Sequence, residues 1–170
     1  QMRRRIEHLA SINKLVGSLD GRSIAELKGY SKPHNDIIDV MRATCVLLGL
    51  PESKIADWKS IKIQISKTGR EGIKRRILQR SVQDVSSQDL ARALRYLEDI
   101  SDTDHIKSKS EAAAVFYGWC HGLAYEVKDY LSELDTHLGR QSSGAGAEGS
   151  ETAQDRRRAV REAEGDSMWM

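Results

Sequence analysis

The chain has 170 residues, 39% of them apolar and 31% charged, with two prolines, one phenylalanine and a formal net charge of +2. That is enough for one modest domain with a real core, and its helix-forming composition suits an all-α protein. No apolar run approaches the roughly 18 residues of a membrane span, and the basic start Arg3-Arg4-Arg5 leads into an amphipathic stretch rather than a signal-peptide core, so the expectation is an intracellular protein with no membrane partner.

The first predicted helix covers Met2 to Leu19, with Ile6, Leu9, Ile12 or Asn13, Val16 and Leu19 as a narrow apolar seam. Such a seam needs a partner helix, because an isolated helix of this length is marginal in water. Gly21 interrupts only weakly, and the pattern continues through Ile24-Ala25-Glu26-Leu27-Lys28 until Gly29 to Pro33 end it. Ser31 or Asn35 caps the next helix, with Pro33 in its first turn, where a missing amide costs nothing. That helix buries Ile37, Ile38, Met41, Cys45 and Leu48 and stops at Gly49-Leu50-Pro51.

A further helix starts near Ser53 to Trp58. Ile61 to Ile65 alternates as a strand would, yet Trp58, Ile61 and Ile65 also share a helical face, and the helix is preferred. Thr68 to Gly72 separates it from a basic helix, Ile73 to Arg80, with Ile73 and Ile77 facing inward. Ser86 to Asp89 reads as a capping box before Leu90, Ala93, Leu94 and Leu97. Asp102 to Asp104 caps the last and longest helix, through Phe116, Trp119, Leu123, Val127, Leu131 and Leu138. Its far end either packs on the first helix or projects into solvent. After Gly139 the chain turns rich in Gly, Ser, Ala and charge; residues 140–170 read as a disordered tail, with one transient turn near Arg156 to Glu164 and a loose end at Met168 to Met170.

Cys45 and Cys120 sit in apolar helical contexts and are expected as buried thiols; the five histidines are scattered and show no metal-ligand spacing. Leu47, Leu48, Trp58, Leu94, Leu97, Phe116 and Trp119 are assigned to the core. The near-neutral total charge conceals segregation. Lys59, Lys62, Lys67, Arg70, Lys74, Arg75, Arg76 and Arg80 stand against one acid, Glu71, whereas an acidic excess follows from Asp84. These bases either form an anion-binding face or solvate an amphipathic helix and pair with the acidic helix after Ser87.

Four blocks in order carry a family resemblance. Ile24 to Gly29 followed by Pro33 resembles the end of a first stalk helix and its proline junction, and Val46-Leu47-Leu48-Gly49 is similar to a closing "LLG". Trp58-Lys59 with Lys62 resembles a "WKxxK" helix opening, and Lys109 to Ala114 then Trp119 is similar to "KSxAAxxLCxW". Together, from about Leu15 to Leu131, they resemble the microtubule-binding domain at the tip of the dynein heavy-chain stalk, most like the axonemal heavy chains. The chain departs from that pattern in having Pro33-His34 where two prolines are usual, and in lacking a "PKR" motif after Trp119.

The resemblance implies an all-α fold: a small helical bundle capping an antiparallel two-helix coiled-coil stub. It implies a first stalk helix at 1–28, a tip domain at 29–124, a return stalk helix at 125–139 and the tail at 140–170. It further implies tubulin binding through a basic face, with affinity set by coiled-coil register and with Pro33 at the junction. The candidate contacts are Lys28, Lys32, Lys67, Arg70, Lys74, Arg75, Arg76 and Arg80. The implied location is the cytoskeleton, in the axoneme of a cilium or flagellum. The alternative partner is an axonemal leucine-rich-repeat light chain, bound without direct microtubule contact. Nothing in the chain resembles a P-loop, and no spacing specifies a catalytic triad, a carboxylate pair, a cofactor or a nucleic-acid motif, so the expectation is a binding module and not an enzyme.

Overall fold

A computed structural model of the chain describes residues 2–100 and 102–145, with side chains to residue 141. The described residues form an all-helical bundle: α1 (Met2–Gly17), α2 (Gly21–Gly29), α3 (Asn35–Leu47), α4 (Trp58–Ser66), α5 (Ile73–Gln79), α6 (Ser87–Leu97), α7 (Thr103–Lys109) and α8 (Glu111–Ala145). One compact unit ends at Leu131; a second begins at Ser132, and its described part is the last stretch of α8. The Ile61 to Ile65 stretch lies within α4, so the strand alternative is overturned.

Helix α3 lies at the centre of the first unit. Eight of its residues are buried, from Ile37 and Val40 round to Val46 and Leu47, which is the pattern of a helix covered on nearly every side. Helix α6 packs along it, α4 covers a further part, and Cys120 of α8 meets Thr44 at 3.2 Å. Thr44 donates its hydroxyl proton to the Val40 carbonyl at 2.8 Å, so this buried polar group is satisfied within α3. Phe116, Trp119 and Leu123 of α8 are wholly buried, as are Leu47, Ile61 and Ile77. Leu48, Trp58 and Leu97 are also core, while Leu94 is only half-buried at its edge.

Helices α1 and α8 run antiparallel within this unit: Arg5 contacts Asp129 and Glu126, while Ile12, further along α1, lies against Gly122, further back on α8. The α1 seam differs from expectation at one position. Ile6 is 61% exposed, and Arg5 is buried in its place. Residues 5, 9, 12, 16 and 19 follow the alternating four-and-three spacing of a coiled-coil seam, which position 6 breaks. Arginine is tolerated there because its guanidinium meets Glu126 at 3.2 Å and Asp129 at 2.6 Å.

Four local expectations are corrected. The first stalk segment is two helices rather than one over 1–28: α1 ends at Gly17, and Asp20 starts α2 by accepting the Ser23 amide proton at 2.7 Å. Pro33 lies ahead of α3 rather than in its first turn, and neither Ser31 nor Asn35 is the cap; His34 is, its Nδ1 accepting from the Asp36 amide at 3.2 Å. Asp102 caps only the short α7, and the long helix starts afresh after Ser110, whose hydroxyl oxygen accepts the Ala113 amide proton. Lastly, α8 continues through 140–145, where the tail was expected to begin; the expected turn at Arg156 to Glu164 and the end at Met168 to Met170 lie outside the described residues.

Candidate functional site

The chain between α2 and α3 is pinned from two sides. Trp58, the first residue of α4, donates its indole N–H to the Tyr30 carbonyl at 2.8 Å. Tyr30 in turn donates its hydroxyl to the carbonyl of Lys109, the last residue of α7, at 2.7 Å. Tyr30 and His34 both have extended backbone, and proline at 33 restricts the residue before it to extended conformations too. The angle between α2 and α3 is therefore held by one rigid ring, by the Trp58 side chain and by the Lys109 carbonyl that receives the Tyr30 hydroxyl. The Trp58 anchor escapes sequence reasoning, because periodicity marks Trp58 as apolar core and says nothing of its N–H.

Next to this junction, folding brings together three polar side chains that sequence spacing leaves apart. His34 Nδ1 is 3.7 Å from Asp36 Oδ2, His105 Nε2 of α7 is 3.9 Å from the same oxygen, and the two imidazole rings meet edge to face at 5.2 Å. Asp39 lies one turn on. Burial raises its carboxyl above the ordinary carboxylate range, and the charges of Asp36 and Asp99 push it the same way against the pull of Arg42.

The predicted basic residues divide into groups. Lys28, Lys67, Lys74 and Arg75, from α2, the end of α4 and α5, line one surface cavity of about 330 Å³ with Ile24, Ile65 and Ile73 at its apolar floor. Arg70 is exposed on the short turn Gly69–Glu71 that leads into α5, and Arg75 is exposed as well. Lys74 is half-buried and donates to the Leu19 carbonyl at 2.5 Å, closing the α1 end against α5. Arg80 stands apart: it donates to the Leu47 carbonyl at 2.8 Å, satisfying a group at the end of α3, and to the Asp84 carbonyl at 3.0 Å in the turn that precedes α6. Its guanidinium also lies against Gly49, whose φ of +86° makes the left-handed turn that closes α3. Arg76 is half-buried, close enough to Cys45 to act on it electrostatically. Lys32 is exposed within the junction itself.

Pairing with the acidic helix does not occur among the described residues. Lys67 with Glu71, at 3.8 Å, is the one ion pair made by any base from Lys59 to Arg80. Asp89 of the following helix is engaged elsewhere: it holds Arg92 at 2.8 Å, and Glu52, from before the basic run, holds the same guanidinium at 2.9 Å. Arg80 and Lys74 had the same sequence signal as Arg70 and Arg75, a base in a basic run. Only the carbonyl that each one reaches distinguishes a structural role from an available charge.

No protein-family model and no curated protein matches this sequence. Among the described residues no helix is long and apolar enough to cross a membrane.

Proposed function

We propose that the chain is a microtubule-binding module of the dynein stalk-tip kind, gripping the acidic tubulin surface through the face formed by Lys28, Lys67, Arg70 and Arg75. The observation that carries this reading is the convergence of bases from α2, α4 and α5 on one cavity with a single carboxylate, Glu71, paired among them. Uncompensated charge on packed helices attracts an anionic polymer quickly and releases it readily, as a stepping contact requires. The antiparallel α1 and α8 supply two rods whose relative register sets the affinity, and the double anchor on Tyr30 transmits that register to α3.

Cosedimentation with taxol-stabilised microtubules at low and moderate salt tests the proposal. The chain is expected to pellet at low salt, and Arg70→Glu/Arg75→Glu, which removes two exposed bases with no internal hydrogen bond, is expected to abolish pelleting while leaving the fold intact. Absence of pelleting by the unaltered chain at either salt overturns the reading. Undiminished binding of an axonemal leucine-rich-repeat light chain by a charge-reversed variant that no longer pellets transfers the function to that partner.

A further inference from the structure

We propose that His34, Asp36 and His105 form a divalent transition-metal site of the zinc class that clips the start of α3 to α7. The three residues each present one donor atom, and all three atoms lie within 4.8 Å of one another. Tetrahedral zinc with bonds of about 2.0–2.1 Å places its donors about 3.3 Å apart. The separations of 3.7 and 3.9 Å to Asp36 are closed by a shift of about half an ångström, and that between the two histidines, within 4.8 Å, by no more than about 1.5 Å, movements within reach of partly exposed side chains.

Ligand chemistry selects the ion. Two imidazoles and one carboxylate suit Zn²⁺, Co²⁺ or Ni²⁺, whereas Mg²⁺ and Ca²⁺ take oxygen ligands. The His34 ring already has the required tautomer: to accept the Asp36 amide proton, Nδ1 must be bare, so the metal takes up that lone pair in exchange for one neutral hydrogen bond. The surroundings favour a cation. Asp36 interacts with Asp39, and Asp39 with Asp99, while Arg42, 3.8 Å from Asp39, offsets part of that negative charge and also donates to the Ile55 and Ala56 carbonyls. The exposure of both histidines leaves a coordination position open to water. The consequence is mechanical: α7, already bonded through Lys109 to Tyr30, is tied by the metal to the residue directly after Pro33.

Isothermal titration of the whole chain with Zn²⁺ is expected to show one saturable equivalent. In the unaltered protein the imidazole proton resonances of His34 and His105 should be the first to move as Zn²⁺ is added, and Co²⁺ should give the visible absorption of a low-coordinate nitrogen–oxygen site. His105→Ala and Asp36→Asn should each weaken Zn²⁺ binding at least about tenfold, while His121→Ala, on α8 beside Tyr117, leaves it unchanged. A dissociation constant weaker than about 1 mM overturns the proposal. So does binding that persists at full strength in His105→Ala, or a titration in which His8, His121 or His137 shifts first.

Discussion

At the scale of single residues, burial decides what the chemistry of a side chain becomes. Cys45 and Cys120 have thiols pushed up to about 12 by desolvation, so neither is a thiolate at neutral pH. A thiol reagent such as DTNB should label neither in the native protein and both after unfolding; rapid native labelling would show that α3 and α8 part readily. Glu126 is buried too, and is held by Arg5 at 3.2 Å and by His8, whose Nδ1 lies 2.5 Å away. Glu126→Ala takes one carboxylate from the buried guanidinium, which keeps Asp129 at 2.6 Å, and the loss expected from urea denaturation is about 1–3 kcal/mol. Arg5→Met with Glu126→Leu should recover most of it, since apolar replacements of a buried pair are often close to neutral. These two residues were not legible as partners in the sequence; a charged residue in a seam register carries no sign of what it will meet.

At the scale of elements, the periodic interiors of the helices were well signalled, whereas the starts of α2, α3 and α8 were placed differently by the fold. Asp20, Asp57 and Asp84 each accept a backbone N–H, from Ser23, Ser60 and Ser81 respectively, and this bond holds each carboxyl below its ordinary value of 3.8. A depressed native value means that the unfolded chain binds protons more readily. The stability these caps give is therefore complete above the ordinary carboxylate range and drains away as pH falls below about 3.8. Asp20→Asn, which retains a capping oxygen, should show a flatter fall of melting temperature over that acid window than the unaltered chain. Helix packing gives a second test. A Cβ built on Gly122 would stand 2.0 Å from Ile12 Cδ1, so Ile12 seats against α8 at this point because residue 122 has no side chain. Gly122→Ala should cost about 1–3 kcal/mol through overpacking. In an Ile12→Ala background the same change should instead stabilise, by up to about 1 kcal/mol of helix propensity. Additive effects of the two changes, measured by denaturant midpoints, would show that the helices do not meet there.

At the scale of the whole molecule, function depends on what remains after the fold has taken its share of charge. Lys74 and Arg80 are committed to the Leu19 and Leu47 carbonyls, while Arg70 and Arg75 remain exposed. Microtubule affinity should accordingly fall steeply with ionic strength, with the slope reduced in the milder Arg70→Ala and little altered by Lys32→Ala. A salt-independent affinity would point to an apolar contact instead, through side chains such as Ile63 and Leu78, each more than half exposed.

By itself the sequence determined the helical class, the inward faces of α3, α4, α5 and α6, and the concentration of bases before Arg80, because periodicity and composition are local properties that each segment carries with it. Tertiary structure alone decided that Arg5 and not Ile6 enters the seam, that Trp58 and Lys109 hold the junction, and that His105 comes to Asp36. Those outcomes depend on which distant groups arrive at the same place, and a hydrogen bond or an ion pair is a property of both partners, so neither residue announces it before the chain has folded.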